Sequence, residues 1–224
     1  MPTAEAYPAK MKKLDKDNIK DILDLTPLQK GILFHYLQAP REGFYFNQLS
    51  LELSGDINLQ HFEDAWNSVI ESNEMLRSVF RWEKLDSPSL VVLKKHTVHW
   101  RFEDLSGIDD SIEQKKRWDA LKQQDRGFDL REVPFRVLLA KMSPSRFHML
   151  ISNHHILYDG WSTGIILKEF LLAYETPAGG NQPSIPRNKS GFKEFIRWLQ
   201  KQDRQEQKKY WQSCLEDFDT PTRL

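Results

Sequence analysis

The sequence has a single cysteine and no excess of either charge, and both absences narrow the classes of protein it can belong to. Among 224 residues only Cys214 is a cysteine, so an internal disulfide framework cannot form. Lysine plus arginine and aspartate plus glutamate each total 32, which gives a formal net charge of zero. Without a basic excess, neither nucleic acid nor anionic membrane is expected as the main partner. These features fit a reducing compartment, and we expect a cytoplasmic protein.

Long hydrophobic runs and several catalytic signatures are also missing. No apolar stretch approaches the roughly 18 residues that a membrane span needs, and the polar N-terminus lacks the apolar core of a signal peptide. There is no Walker A loop, no G-x-G-x-x-G fingerprint and no G-x-S-x-G elbow. Cys214 lies in a charged helical segment, which indicates a packing residue rather than a nucleophile. These absences leave nucleotide-dependent and serine-nucleophile chemistry without a signal.

The spacing of apolar residues predicts a mixture of helices and strands. Helical spacing is predicted over 27–37, 58–73, 110–124, 162–174 and 191–216. Alternation predicts strands over 45–53, 75–82, 90–94, 98–103, 135–141 and 147–154. Thr26 and Ser162 are the predicted N-caps of two helices, and a hairpin should join the last two strands. The order of elements indicates an α+β sandwich of sheet and helices.

Three sets of apolar side chains are expected to face the interior. They are Phe62, Ala65, Trp66, Val69 and Ile70 in one helix, Ile165, Ile166, Phe170 and Leu171 in another, and Phe192, Phe195, Ile196 and Leu199 in the last. Trp161 is also predicted to be a core residue rather than a stacking platform. Hydrophobic content of 39% is ample for such a core.

Two adjacent histidines close a hydrophobic, strand-like run, and an Asp-Gly pair follows three residues later, in the pattern His154-His155-x-x-x-Asp159-Gly160. Because neighbouring strand residues point to opposite faces, one histidine should sit in the fold and the other should face a substrate. A neutral imidazole can position an amine or accept its proton near physiological pH. Asp159 is placed to hold the loop through an ion pair, and backbone N–H groups around Gly160 can face an oxyanion.

A structural and a metal-binding interpretation compete with the catalytic one. Histidines at a strand end are often satisfied core or turn residues. Two histidines and a carboxylate are suitable ligands for zinc or iron. However, adjacent strand histidines diverge, and His96 and His99 lie on another strand with spacing for opposite faces. No metal site is therefore predicted.

Four segments in chain order resemble the motifs of one family. They are LTPLQKGILFH (Leu25–His35), SNEMLRSVF (Ser72–Phe80), NHHILYDGWS (Asn153–Ser162) and FKEFIRW (Phe192–Trp198). On these residues the chain resembles the condensation domain of bacterial nonribosomal peptide synthetases, within the chloramphenicol-acetyltransferase-like superfamily. The motifs extend across nearly the whole chain, and four in order are far more specific than one.

The resemblance implies roles for the site residues. His155 would position or deprotonate the acceptor amine, and the family leaves open which of the two it does. Gly160 would line the substrate tunnel, whereas His154 and Asp159 would be mainly architectural. Arg77 of the second motif would form an ion pair with Asp159 and so couple the second motif to the third.

The resemblance also implies a reaction and its partners. The amine of an acceptor aminoacyl thioester would attack a donor peptidyl or aminoacyl thioester and form an amide. Both substrates would ride on phosphopantetheine arms of carrier domains and enter a tunnel from opposite ends. No cofactor would be bound directly, and neither a metal nor a free nucleotide would be needed.

The implied fold is a chloramphenicol-acetyltransferase-like lobe in which a mixed, mainly antiparallel sheet packs with helices. Complete members of the family have two similar lobes that form a V, with the site between them. Residues 21–224 would make the N-terminal lobe and end where the connection to the C-terminal lobe begins. We expect the lobe alone to be inactive, or nearly so, because the opposite tunnel wall is missing.

The resemblance carries three further expectations, for the N-terminal segment, for the donor substrate and for the second motif. Residues 1–20 would form a leader, and Lys12 to Leu23 would be either a docking segment for an upstream synthetase or a simple linker or tail. The opening motif resembles that of condensation domains that accept a D-configured donor residue. In the second motif, Ser72 and Asn73 stand where the family usually has Arg and His, which leaves their role undefined.

Two other classes of function stay open at this point. One is a docking module that binds carrier or partner chains without chemistry. The other is a related enzyme, either an epimerisation domain or a CoA-dependent acyltransferase. The opening motif fits condensation better than epimerisation, and no basic patch for the phosphates of CoA stands out.

Overall fold

Seven strands in the described part of the chain, residues 14–39, 42–176, 189–218 and 220, form two sheets in a computed structural model. The strands are β1 (Ile19–Asp24), β2 (Phe46–Ser54), β3 (Ser78–Arg81), β4 (Ser89–Leu93), β5 (Trp100–Asp104), β6 (Phe135–Ser143) and β7 (Arg146–His154). One sheet has the order β1-β4-β3 and is antiparallel. The other has the order β2-β7-β6-β5, in which β5 and β6 are parallel and the other pairs antiparallel. The α+β prediction is confirmed.

Six α-helices and two short 3-10 helices complete the described residues. The α-helices are α1 (Pro27–Gln38), α2 (Leu59–Ser72), α3 (Ser111–Gln124), α4 (Gly160–Tyr174), α5 (Phe192–Gln200) and α6 (Arg204–Cys214), and the 3-10 helices span Lys16–Asn18 and Glu74–Arg77. The chain divides into two compact units, Met1–Lys189 and Ser190–Leu224. The first unit contains both sheets, and the second contains α5 and α6.

Helices cover the two faces of the four-stranded sheet with different side chains. On one face, Trp118 and Leu121 of α3 pack with Leu138 and Leu150. On the other face, the ring of Trp66 in α2 lies 5.6 Å from Phe135 of β6 and 4.5 Å from Phe170 of α4. Because β6 and β7 alternate their side chains, this register fixes which residues of β7 point toward α2 and α4.

The last odd-numbered residues of β7 face the α2 and α4 side. Asn153 is the direct cross-strand partner of Phe135, whose ring contacts Trp66. Side chains of directly paired residues lie on the same face of a sheet. Residues 151 and 153 therefore point toward α2 and α4, and the same parity sends residue 155 that way as β7 ends.

A capping box fixes the start of α1, where the sequence predicts Thr26 as the N-cap. Thr26 Oγ1 accepts from the Gln29 N–H, and Gln29 Oε1 accepts from the Thr26 N–H, both at 3.1 Å. Pro27 occupies the first turn, where a missing N–H costs nothing. These contacts satisfy backbone donors that the helix itself leaves unpaired.

Two predicted elements differ in kind or number, and one strand was not predicted. The strand expected over 75–82 starts as the 3-10 helix Glu74–Arg77, so β3 is four residues long. The helix expected over 191–216 is two helices, since Asp203 caps α6 by accepting from the backbone N–H groups of its first turn. The strand β1 was not predicted, because only Leu23 in it is buried and its polar alternation resembles a tail.

β1 changes the interpretation of the proposed leader. Residues 19–23 of the candidate docking segment pair with β4 as part of a sheet. Residues 1–13 lie outside the described part of the chain. Residues 19–23 therefore belong to the folded sheet. The segment between the helices predicted over 162–174 and 191–216 also lies mostly outside the described residues.

The buried face of α4 is narrower than predicted. Ile166 and Phe170 are buried as expected, whereas Ile165 and Leu171 are 56% and 50% exposed. Trp161, expected in the core, is 89% exposed. The helix therefore has a second apolar stripe that no described residue covers.

The unit Ser190–Leu224 buries little apolar surface. Of the four apolar side chains expected to be buried in α5, Ile196 is buried and Phe195 is 45% exposed. The aromatic rings of α5 lie side by side along the helix, with centroids 5.7 Å apart for the tilted pair Phe192 and Phe195 and 5.8 Å apart for the stacked pair Phe195 and Trp198. The fourth family motif thus forms a helix with an aromatic ridge.

Candidate active site

A cavity of about 550 Å³ opens where β2, β7 and the start of α4 meet. Its wall combines strand residues, the turn after β7 and the first two turns of α4. The lining residues are Phe46, Asn47, Gln48, Leu49, Ile151, Asn153, His155, Tyr158, Asp159, Gly160, Thr163, Ile166 and Leu167. The structure therefore brings three of the predicted site residues, His155, Asp159 and Gly160, to one cavity.

His155 is half-buried at the cavity wall, just after the last residue of β7. Its backbone N–H donates to the carbonyl of Tyr45 at 2.8 Å, which holds the turn against the chain that enters β2. Its ring Nδ1 lies 3.4 Å from Nδ2 of Asn47. The ring makes no further hydrogen bond to any described residue, so Nε2 is available to a molecule in the cavity.

Tyr45 holds its position with a left-handed backbone conformation, at φ 63°. A non-glycine residue rarely adopts this conformation, which costs free energy and is found where the surroundings enforce it. The Tyr45 ring stacks on His35, with centroids 5.9 Å apart and planes 3° apart, and its hydroxyl lies 2.7 Å from His35 Nδ1. This pairing fixes the carbonyl that accepts from His155.

His154 points away from the cavity and is buried, with 2% of its surface exposed. Its Nδ1 accepts from the backbone N–H of Ile156 at 3.2 Å, and its ring meets the Tyr36 ring edge to face. Burial lowers the pKa of His154 to about 4, His155 adds to the shift, and the Phe44 backbone has a smaller opposing effect. His154 is therefore a neutral internal ring at physiological pH.

The first motif contacts the histidine turn through Gln29. This side chain is buried and donates from Nε2 to the carbonyl of Ile156 at 3.1 Å. Its Oε1 belongs to the capping box of α1. One glutamine therefore couples the start of α1 to the residue that follows His155.

The predicted ion pair between Arg77 and Asp159 is not formed, although the structure describes both residues. Arg77 is buried and donates to three backbone carbonyls, those of Leu93 at 2.9 Å, Ile70 at 3.0 Å and Glu71 at 2.5 Å. Burial lowers its pKa, and the carboxylates of Glu74 and Glu71 oppose the shift. These carbonyls lie at the end of α2 and in β4, so Arg77 joins those elements instead.

Asp159 caps α4, a role that the sequence analysis gave to Ser162. Its Oδ1 accepts from both the backbone N–H and the hydroxyl of Ser162, each at 3.2 Å. Asp, Ser and Thr are all good N-caps, and the helix begins one turn earlier than its apolar pattern indicates. The carboxylate is exposed and also suits the positive end of the helix.

Gly160 and Tyr158 complete this side of the cavity. A Cβ added to Gly160 would meet no described atom within 4 Å, so packing within the described chain does not require glycine there. Tyr158 is half-buried, and burial raises the pKa of its phenol. The hydroxyl therefore stays protonated and can donate a hydrogen bond.

Sequence reasoning gave no role to five polar residues of the cavity wall, which are Asn47, Gln48, Asn153, Tyr158 and Thr163. Asn153 has the same strand parity as His155, so alternation alone could have found it. Asn47 lies 108 residues before His155, and only the register of β2 against β7 brings the two together. A single sequence carries no signal for such a register.

Asn73, one of the two altered positions of the second motif, has a structural role. Asn73 donates from Nδ2 to Glu169 at 2.8 Å, and its Oδ1 accepts from Lys189 at 2.9 Å. Lys189 also contacts Glu169, whose side chain is buried in α4, at 2.5 Å. Asn73 therefore belongs to a polar clamp between the end of α2, α4 and Lys189.

The described residues contain neither a metal-ligand cluster nor a membrane-spanning helix. Among the described residues, no group of three or more His, Cys, Asp or Glu side chains has the arrangement of a metal site. None of the helices in the same residues is both long enough and apolar enough to cross a membrane.

Comparison with known sequences identifies the relatives of this chain. It is 35% identical over 215 residues to surfactin synthase subunit 3 of Bacillus subtilis (strain 168), covering 95% of this chain and 17% of the relative. It is also 35% identical over 217 residues to tyrocidine synthase 2 of Brevibacillus parabrevis, covering 96% of this chain and 6% of the relative. The chain thus spans a small part of each of these proteins.

Solved structures share the fold at low sequence identity. A variant of the starter condensation domain of the rhizomide synthetase matches with a TM-score of 0.79 and 19% identity, over 91% of this chain and 50% of that one. The first condensation domain of the calcium-dependent antibiotic synthetase matches with a TM-score of 0.73 and 20% identity, over 90% and 50%. The chain spans about half of each solved domain.

The family model described as "Condensation domain" matches residues 19–224, from β1 to the end of the chain. This match includes all four motifs, the cavity and both units. With the relatives above, it establishes what the motifs predicted: the chain belongs to the condensation domain family of nonribosomal peptide synthetases.

Proposed function

We propose that this chain supplies the histidine-bearing lobe for amide-bond formation between two carrier-bound substrates. The amine nitrogen of an acceptor aminoacyl thioester attacks the carbonyl carbon of a donor peptidyl or aminoacyl thioester. A C–N bond forms and the C–S bond breaks. The amine loses a proton, and the departing sulfur takes one up, so the products are an amide and a free thiol. No oxidation or reduction occurs.

The position of His155 is the observation that carries the proposal. Its ring faces the cavity with Nε2 unoccupied by any described residue, while His154 is buried and neutral. A histidine held at a cavity wall can orient an amine or accept its proton. The hydrogen bond from the His155 backbone N–H to the Tyr45 carbonyl supports this role because it fixes the backbone position from which the ring extends.

The two roles proposed for His155 need opposite orientations of the Asn47 amide. If Asn47 donates to Nδ1, a neutral ring carries its proton on Nε2 and presents a donor to the cavity. If the amide is rotated, Asn47 accepts from Nδ1–H and Nε2 presents a lone pair that can take a proton. The first arrangement positions a substrate, and the second deprotonates the amine.

The substrates of this reaction would arrive on phosphopantetheine arms of donor and acceptor carrier domains, in the cytoplasm. Membership of the family supports this part of the proposal, and the polar wall of the cavity suits thioester and amide groups. No cofactor bound directly by this chain enters the proposed reaction. An upstream synthetase would contact the segment before Ile19.

We also propose that turnover needs the C-terminal lobe. The start of α4 lines the cavity, and Trp161 and Ile165 on the same helix, which are not among the lining residues, are 89% and 56% exposed. A large uncovered apolar surface tends to acquire a partner. The solved condensation domains that this chain matches are about twice as long, which supports a second lobe as the cover.

The donor residue is proposed to have the D configuration. The opening motif, Leu25–His35, resembles that of condensation domains with such donors. Part of this motif is also explained by structure, because Thr26, Pro27 and Gln29 cap α1 and support the histidine turn. Parallel assays with D- and L-configured donors test the assignment, and an equal rate with both would reject it.

A single-turnover peptide-bond assay with loaded carriers tests the central proposal. It compares the 224-residue chain, the chain joined to a C-terminal lobe, and the joined form with His155→Ala. The matched control is His99→Ala, an exposed histidine that does not line the cavity. We expect product from the joined form and its control, and a loss of about 100-fold or more from His155→Ala.

Other outcomes are equally informative. Substantial turnover by the 224-residue chain would reject the need for a second lobe. Full activity of His155→Ala would reject the proposed role of this histidine. No product from any form, with carrier binding intact, would favour a docking module without chemistry.

A further inference from the structure

Two asparagines stand beside His155 on the cavity wall, and the proposed role of the histidine does not account for one of them. Asn47 of β2 and Asn153 of β7 are direct cross-strand partners. Both line the cavity. Asn47 contacts His155, as described above, which leaves Asn153 without an assigned role.

The side-chain amide of Asn153 lacks a hydrogen-bond partner. Asn153 is 6% exposed, and its Nδ2 is buried with no partner among the described residues. A buried donor without a partner destabilises the folded state, and nearly all such groups in proteins are satisfied. An exception at a cavity wall therefore indicates a ligand with a hydrogen-bond acceptor.

The direction of Asn153 follows from strand alternation. Residues 151, 153 and 155 all point to the cavity, whereas His154 between them is turned into the interior. Asn153 and His155 are therefore neighbours on the same wall, two residues apart. A group that contacts both would be held between an amide donor and an imidazole.

We propose that the Asn153 amide donates a hydrogen bond to the carbonyl oxygen of the donor thioester. This inference rests on the function proposed above and identifies a further residue for the same reaction. When the amine attacks, that oxygen gains negative charge as the C–N bond begins to form. A fixed hydrogen-bond donor stabilises this charge. The charge disappears when the C=O double bond re-forms and the C–S bond breaks.

Two features make asparagine suitable for this role. Its amide is neutral, so it donates a hydrogen bond without placing a charge beside His155. Its cross-strand partner Asn47 and the ladder around it hold β7 in register, so the donor is fixed before the substrate arrives. Such preorganisation is the main source of oxyanion stabilisation.

The test uses Asn153→Ala and Asn153→Asp in the joined two-lobe protein, with single-turnover rates at saturating loaded carriers. Aspartate keeps the shape and an acceptor oxygen but has no N–H. We expect both variants to lower the rate roughly 100-fold, as for other lost oxyanion donors. The matched control is Asn67→Asp, because Asn67 does not line the cavity and uses its Oδ1 as an acceptor from Val98 N–H.

Two readouts separate this role from its alternatives. If Asn153 instead binds an amide carbonyl of the phosphopantetheine arm, the variants need more carrier for saturation and keep the maximal rate, which would overturn the proposal. If Asn153→Asp keeps the wild-type rate, the residue acts as an acceptor or a spacer, and the proposal fails. A carboxylate effect through His155 would appear as a shifted pH midpoint in Asn153→Asp and would be missing in Asn153→Ala.

Stability measurements distinguish a structural role. Because Nδ2 is unpaired, we expect Asn153→Ala to leave the midpoint of thermal unfolding unchanged or raise it. A lower midpoint with a proportionate loss of activity would overturn the proposal. Loss of activity in His155→Ala with full activity in both Asn153 variants would reject this inference alone. No turnover by the joined two-lobe protein without substitutions would reject the proposed function as well.

Discussion

At the residue scale, neighbouring histidines have opposite environments because a strand ends between them. His154 is the last residue of β7 and is turned into aromatic surroundings formed by Tyr36 and Tyr45. His155 begins the turn and faces the cavity. Their difference is therefore set by the direction of the side chains and by burial, since the two residues are chemically identical.

The burial of His154 predicts a pH dependence of stability. Its pKa is about 4 in the folded chain and near 6.5 when unfolded, so the unfolded chain binds a proton first as pH falls. The free energy of unfolding should therefore decrease between about pH 6.5 and pH 4, by about 3 kcal/mol for this residue. Urea unfolding of wild type and His154→Gln across that range measures the difference.

The comparison with His154→Gln removes the contribution of the carboxylates, which both proteins share. Above about pH 7 the two should respond to pH alike, because the histidine is neutral in both folded and unfolded chains. Parallel curves from pH 7 to pH 4 would contradict the buried, neutral state of His154.

At the element scale, the start of α4 and the junction between α2 and β4 are stabilised separately. Asp159 caps α4 through Ser162, and Arg77 donates to carbonyls of α2 and β4. The two residues share no partner among the described side chains. An interaction between the second and third motifs must therefore run through other contacts.

This separation predicts additive effects in a double-mutant cycle. We expect Arg77→Met to lower the free energy of unfolding by about 3 kcal/mol, because buried carbonyls lose a charged donor. Asp159→Ala should cost about 1 kcal/mol as a lost N-cap, and Asp159→Asn should cost far less. The double variant should equal the sum within about 0.5 kcal/mol. A larger coupling energy, measured by chemical denaturation, would support a direct interaction between Arg77 and Asp159.

The elements with local signals could be predicted from the sequence, and those set by distant contacts could not. The Thr26 cap of α1 and the β6–β7 hairpin depend on neighbouring residues, and both were predicted. β1 gives a weak pattern because it buries only Leu23, and its identity comes from pairing with β4. Trp161 was misplaced because an aromatic residue in an apolar pattern indicates a core, whereas α4 turns this side chain outward.

The candidate site shows the same limit. The motif located His155, and strand parity separated it from His154. The contact with Asn47 depends on the β2–β7 register, and the use of Arg77 depends on carbonyls that no sequence pattern marks. The resemblance to the family was the source of the incorrect Arg77 assignment. The pairing with Asp159 was carried over by analogy and did not follow from the residues of this chain.

At the scale of the whole molecule, buried surface is distributed unevenly. β6 and β7 lie in the interior of the four-stranded sheet and bury most of their side chains. α6 buries none of its residues. The resistance of backbone hydrogen bonds to opening should follow this distribution, since local stability depends on buried contacts.

Hydrogen exchange of the 224-residue chain measures this prediction. We expect amides of β6 and β7 to exchange slowest, at rates set by global unfolding, and amides of α6 to exchange orders of magnitude faster. A destabilising variant such as Arg77→Met should speed exchange in the strands and leave α6 nearly unchanged. Protection of α6 equal to that of β7 would show that the helix is covered in solution.

The clamp of Asn73, Glu169 and Lys189 has a consequence for exchanging segments between related domains. Glu169 is buried in α4, and its carboxylate depends on a lysine 20 residues later. A chimera whose junction falls between the two would inherit the acid without its cation unless the incoming segment supplied one. Leaving a buried charge unpaired costs about 3–5 kcal/mol, a large part of the stability of a typical domain. Junctions placed after Lys189 keep this triad within one parent.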